Sequence, residues 1–267
     1  MDTRYIHGYD QRENERLQDQ ATTLVELLHG DTAYPAGSRV LEVGCGVGAQ
    51  TLTLAANSPD AAITAIDISA ASVAEAERRV TAAGFTNVRF AQADIFALPY
   101  APDSFDHLFV CFVLEHLPRP VEALRALRRY LRPGGTITVI EGDHGSTSFH
   151  PDSAAARAAI ACQVELQRRA GGDALIGRAL YPLLTAAGYR APHVSPRLVY
   201  VDGSRPELIE GFTKRTFTAM IEGVREPALA AGLTAPDLFD QGIRDLQRTA
   251  EADGVFCYTF FKAVAGK

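Results

Sequence analysis

Over the first half of the chain, short apolar runs alternate with stretches of helical spacing. Residues 40–43, 62–67, 88–92 and 105–110 are compact runs rich in branched and aromatic side chains, and each leads into a more polar segment. This pattern predicts an opening helix over 12–29 and then strands and helices in alternation through 141. Such alternation specifies α/β architecture with a doubly wound, mostly parallel sheet and helices on both faces. Beyond 141 the regularity breaks. The polar segment 143–150 and a helix over 152–170 form one interruption. A helix over 177–187 and a strand over 194–201 resume the fold, a second helical interruption covers 205–249, and a strand over 255–261 closes the chain.

The first strand, Val40 to Val43, runs into glycines at alternate positions, Gly44, Gly46 and Gly48, and then into a helix. Glycine backbones reach conformations closed to other residues and let a ligand lie against bare peptide groups, while free amides at the helix start face it. Ala49 completes the looser dinucleotide pattern, so a nicotinamide or flavin enzyme is one reading of this turn. The second strand ends at Asp67, about 20 residues on, where a carboxylate can accept both ribose hydroxyls in either reading.

What surrounds the turn separates the two. Glu42 precedes the glycines, the third strand leads to Asp94 and Ile95, the fourth leads to Leu114-Glu115-His116-Leu117, and Leu131 to Gly135 stand before a fifth strand. Over about residues 36–141 this series resembles the class I S-adenosylmethionine-dependent methyltransferases of small molecules. The resemblance implies a seven-stranded sheet whose last strand is antiparallel, with S-adenosyl-L-methionine as cofactor and S-adenosyl-L-homocysteine as product. It places Gly44, Gly46 and Gly48, with Cys45 in the same turn, against the methionine part and ribose, and Glu42 near the amino group. It gives Asp67 the ribose hydroxyls, Ile68 the adenine face, Asp94 the adenine amino group and Ile95 the ring beside it. Cys111 and Phe112 would lie along the methionine portion.

Composition narrows the function further. At 267 residues with 47% hydrophobic content, the chain can bury one large core or a core plus a small cap, and no apolar run is long enough for a bilayer. The polar N-terminus has neither the basic start nor the apolar centre of a secretory signal, so the expected location is cytoplasmic. A net charge of -6 without a dense basic block argues against nucleic acid. Arg125, Arg128, Arg129, Arg168 and Arg169 are read as solvated helix faces. Cys45, Cys111, Cys162 and Cys257 lack metal spacing and are read as free thiols, so no metal is expected.

Both interruptions leave from carboxyl ends of strands, the ligand edge of such a sheet. The expected organisation is an N-terminal lid segment over 1–36, a cofactor-binding core over 37–202 and 253–267 with a cap insertion at 142–175, and a helical cap over 203–252. An enclosed pocket of this kind suits a small organic acceptor, with an aromatic or heteroaromatic secondary metabolite as the extension and O, N or C as the acceptor atom. Apolar cap faces also form homodimers, so dimerisation through 205–249 competes with lid function.

Methyl transfer is an in-line displacement, and holding the reactants together supplies most of the acceleration, about 7 to 11 kcal/mol. A base is needed where the acceptor must lose a proton. His144 is the first candidate, with Asp143 or Glu141 orienting it or meeting a cationic substrate, and His7 and Tyr5 are the others. Tyr9 could stack against the sulfonium, and Arg16 or Gln20 could reach the methionine carboxylate. Phe212, Phe217 and Met220 are candidate acceptor-lining residues. Two rival readings are a cofactor-binding protein that catalyses a rearrangement without methyl loss, and a non-catalytic binding partner. A nicotinamide reductase is disfavoured because no Ser with Tyr-x-x-x-Lys accompanies the glycine turn.

Overall fold

The computed structural model describes residues 23–267. A short helix α1 (Val25–His29) precedes β1 (Arg39–Val43), α2 (Ala49–Asn57), β2 (Ala62–Asp67), α3 (Ala70–Ala82), β3 (Val88–Gln92) and β4 (Phe105–Cys111). Helix α4 (Pro120–Arg128) leads to β5 (Leu131–His150), α5 (Ala154–Arg169), α6 (Leu180–Ala186) and β6 (Arg190–Val201). A helical region follows, and β7 (Val255–Gly266) ends the fold.

The seven strands form one sheet in the order β3-β2-β1-β4-β5-β7-β6, and β3, β2, β1, β4 and β5 are parallel. β1 is central: Val40, Leu41 and Val43 are buried because helices cover both faces, which explains a continuous apolar run instead of an alternating one. The seventh strand is antiparallel to β5 and β6, as expected. Its partners descend as theirs climb: Lys267 N–H donates to Gly135 O and Thr259 N–H to Ser146 Oγ, while Arg190 donates to Lys267 O and Ser195 Oγ to Lys262 O.

Three expectations are corrected here. Residues 143–150 do not interrupt the fold, because β5 continues through them to His150 with β7 beside it. Leu131 to Gly135 lie inside β5 rather than before it. The register slips there, Phe105 pairing Leu131 while His107 pairs Thr136, so the Pro133-Gly134 segment bulges out without ending the strand. β7 also runs past the expected end at 261, to Gly266.

The fold divides into two compact units, and β5, β6 and β7 each supply residues to both. The larger comprises Val25–Gly142, Ile176–Arg197 and Phe261–Lys267. Its core joins Leu41, Val43, Leu108, Val110, Ile137 and Val139 of the sheet to Leu124, Leu127, Leu180 and Leu184 of α4 and α6. Arg125, expected on a solvated face, also ties α4 to the end of α6 by donating to Ala186 O at 2.8 Å. Arg168 and Arg169 match their reading as exposed and pair with Glu165.

The second unit holds Asp143–Leu175 and Leu198–Phe260 among its described residues. Here α5 packs on α7 (Pro236–Arg248), where Gly242 lets the helices meet: a Cβ there would stand 2.5 Å from Ala155 O and 2.9 Å from Ala159 Cβ. The segment Ile209–Thr218 is a π-helix, and Thr216 Oγ donates to Gly211 O at 2.7 Å, five residues back. Five-residue spacing falls on one face only at this wider pitch. It therefore brings Phe212 and Phe217, which are not an α-helical pair, to 6.5 Å between ring centroids.

Candidate functional site

The order of the sheet reverses between β1 and β4, and a doubly wound sheet binds its ligand at the carboxyl ends of strands at such a point. The glycine turn leaves β1 there. Gly44 N–H and Cys45 N–H both donate to Ile66 O, at 2.8 and 2.9 Å, folding the turn against β2. Gly44 adopts φ +73° and a Cβ on it would come within 2.4 Å of Val113 Cγ2, whereas a Cβ on Gly46, φ +51°, would meet nothing within 4 Å. Gly44 is thus fixed by packing, and Gly46 leaves open space for a ligand.

Asp67 staples this cradle. One carboxylate oxygen accepts from Gly46 N–H and the other from Ser69 N–H, each at 2.9 Å. Each oxygen keeps a second lone pair for a hydroxyl donor. Beyond it Ile68 is 61% exposed, a large apolar side chain held out by a loop that Gln92 Nε2 pins through Ile68 O. Asp94 caps a short turn by accepting from Phe96 N–H at 2.9 Å. Ile95 packs partly into the core, and the neighbouring Phe96 is the exposed ring, 47% accessible with the Arg119 guanidinium 5.7 Å from its centroid. Phe96 was not among the sequence candidates; an aromatic directly after an Asp-Ile strand end was the available signal.

Beneath the turn lie buried polar side chains. Glu42 is buried with the Thr51 hydroxyl beside its carboxyl, and the Gln50 side chain faces the buried His29. Burial pushes the Glu42 carboxyl up to about 7; the Thr51 hydroxyl opposes the shift and the Asp67 charge adds to it. A carboxyl raised in the folded state holds its proton more tightly than in the unfolded chain. Its contribution is therefore fully present below about 4.5 and lost as pH rises through about 7. Glu42→Gln removes that titration, so its stability should gain on the natural protein by roughly 3 kcal/mol between those limits. Urea unfolding of both proteins across the range measures the difference, and parallel curves would contradict it.

Glu141, proposed above as an acid-base or cation-binding group, has another task. It is fully buried, and its Oε1 accepts from Val113 N–H at 3.0 Å and Leu114 N–H at 2.7 Å. Burial, with the Glu115 charge beside it, raises its carboxyl well above the usual range. It holds the turn after β4, where Phe112 takes φ +56°. Cys111 and Cys45 are buried thiols that burial pushes upward, away from reactivity, and the four cysteines are free. Among the described residues no cluster could hold a metal and no helix is long and apolar enough to cross a membrane.

In the second unit, Asp143 accepts from Gly145 N–H at 3.0 Å and is turned to its own backbone. His144 is buried, its Nδ1 lies 3.1 Å from Tyr258 Oη, and the Tyr258 and Phe217 rings stand 5.6 and 5.9 Å from it. Phe212, Phe256 and Phe260 extend this cluster. Tyr258 is, like Tyr200 and Arg197, an ambiguous acceptor-site candidate from the sequence; its pairing with His144 joins residues far apart in the chain. Met220 is half-buried. Tyr5, His7, Tyr9, Arg16 and Gln20 lie outside the described residues.

The buried Glu42 carboxyl suits a donor such as an ammonium, the open space at Gly46 suits bare contact, and Asp67 suits hydroxyl donors; these residues fit S-adenosylmethionine. A family model described as a methyltransferase domain matches residues 35–188. The chain is 35% identical over 134 residues to 27-O-demethylrifamycin SV methyltransferase of Amycolatopsis mediterranei, covering 50% of this chain and 49% of that one. It is 33% identical over 145 residues to methyltransferase GfsG of Streptomyces halstedii, covering 53% and 52%. The chain thus spans about half the length of these curated relatives. Among solved structures, the [4+2]-cyclase SpnF aligns with TM-score 0.57 and 23% identity over 93% of this chain and 81% of that one, a likeness of fold. The motif match and the sheet order together make this chain a member of the class I S-adenosylmethionine-dependent methyltransferases.

Proposed function

We propose that this chain transfers the methyl group of S-adenosylmethionine to a small organic acceptor of aromatic or heteroaromatic character, at O, N or C, and releases S-adenosylhomocysteine. The observation that carries the acceptor class is the His144–Tyr258 pair inside an aromatic cluster, a setting that favours a planar apolar molecule with one ionisable donor. The relatives named for rifamycin and other methyl transfers support secondary metabolism.

When bound, S-adenosylmethionine supplies a methyl carbon activated by a sulfonium. Gly44, Gly46 and Gly48 would cradle it, Glu42 would accept from its amino group, Asp67 would accept from the ribose hydroxyls, Ile68 and Phe96 would cover the adenine, and Asp94 would orient it. The acceptor's proton passes to His144 Nε2. For that nitrogen to hold a lone pair, Nδ1 must carry the other proton and donate it to Tyr258 Oη, so Tyr258 is a positioning residue that selects the tautomer. The segments 142–175 and 203–252 serve as caps that keep water from the acceptor.

Release of S-adenosylhomocysteine across a panel of phenols, hydroxyquinones and N-heteroarenes tests the activity, and turnover without it would refute methyl transfer. With an acceptor in hand, Tyr258→Phe should lower kcat about tenfold and leave KM for the cofactor unchanged. Unchanged kcat in Tyr258→Phe and in His144→Asn would place the base elsewhere.

A further inference from the structure

A cleft of about 330 Å³ opens at the amino-terminal ends of β4 and β5, in the larger unit and at the end of those strands remote from the glycine turn. Arg197 and Lys262 line it from β6 and β7, His107 and Thr136 from the starts of β4 and β5, His193 from the start of β6, and Asp31 from the loop after α1. Methyl transfer, as derived above, uses none of them.

The charges in this cleft do not cancel. Asp31 is the lining carboxylate, and it is shared: Arg197 Nη2 and Lys262 Nζ each donate to it at 2.5 Å. The pair of cations holds its carboxyl down to about 2. One carboxylate against two cations leaves one positive charge, in a chain whose net charge is -6. Lys262 is 3% exposed and its ammonium is fully used, by Leu28 O and Thr32 Oγ besides Asp31, so it contributes field without a free donor. Arg197 differs. Its side chain keeps 23% of its surface exposed and its Nη1 reaches Leu27 O only at 3.4 Å, so the terminal N–H groups, unlike the buried Nε–H, keep donor capacity that the protein does not use. Around it stand hydroxyl and imidazole groups: Thr136 Oγ pairs His107 Nδ1 at 2.8 Å, and His193 is exposed at the rim.

We infer that this cleft binds a small dianionic oxyanion, phosphate or dicarboxylate, between Arg197 and the imidazoles of His107 and His193. A planar guanidinium with spare N–H groups is suited to such oxygens, and the surplus charge behind it, on buried Lys262, is screened little by salt.

Titration of the full chain, labelled with 15N-histidine, with inorganic phosphate and separately with succinate tests this. The expected result is a saturable shift of the His107 and His193 ring resonances, at about millimolar concentration, with one or both anions. The anion that binds more tightly identifies the oxyanion. Arg197→Gln should weaken it about tenfold. His193→Gln, at an exposed position, should weaken it about threefold with the melting temperature unchanged, so a folding defect in the first variant does not decide the matter. No saturable shift with either anion up to about 50 mM, or unaltered affinity in a folded Arg197→Gln protein, would overturn the inference.

Discussion

Asp67→Ala is expected to weaken S-adenosylmethionine binding about a hundredfold or more, roughly 3 kcal/mol. Two effects combine in that figure. The variant loses the charge-assisted bonds offered to the ribose hydroxyls. It also strips the acceptor from Gly46 N–H and Ser69 N–H, which the carboxylate now holds at 2.9 Å each, so the cradle loosens as its ligand contact goes. Asp67→Asn separates the two. An amide can keep one of the backbone N–H groups while carrying no charge, so it should retain most of the melting temperature but little of the affinity. Calorimetric titration of the three proteins with S-adenosylmethionine and S-adenosylhomocysteine measures this. Wild-type affinity in Asp67→Ala would remove that residue from the site.

Gly44→Ala should cost roughly 3 kcal/mol of stability, by strain of the left-handed backbone and by overpacking. The added Cβ would stand 2.4 Å from Val113 Cγ2, at a backbone φ of +73°. Val113 cannot turn aside easily, because a β-branched side chain has few rotamers and its N–H is tied to buried Glu141. The steric part should be relieved by Val113→Ala, so that the double variant is more stable than the sum of the two single losses, while the backbone part persists. Denaturant unfolding of the four proteins gives the coupling. Strict additivity would show that the turn shifts to admit the methyl group without meeting Val113.

The glycine turn was legible in the chain because it is local. A strand, a turn of alternating glycines and a helix start are contiguous, and the turn follows from backbone conformations that glycine permits and other residues resist. The strand-end positions of Asp67 and Asp94 were legible for the same reason. The partners of Glu141 were not legible in the same way. Its neighbours in sequence are Gly142, Asp143 and His144, which look catalytic, but its partners are Val113 and Leu114 on another strand end. The interruption expected over 143–150 is absent for a like reason: its glycine, serines and threonine signal a turn, and pairing beside β7 overrides that local preference.

The sequence by itself determined the alternation of elements, the glycine turn with its flanking acids, and hence the cofactor family. Those features depend on residues a few positions apart, where periodicity and backbone freedom act directly. Only the tertiary structure decided which polar groups are buried beneath the turn, that Tyr258 meets His144, and that Phe212 and Phe217 share a face of a π-helix. It alone gathered Asp31, Arg197 and Lys262 into one charged cleft. Such groupings join residues distant in the chain, and burial, which sets the charge state of Glu42, exists only once the strands have paired.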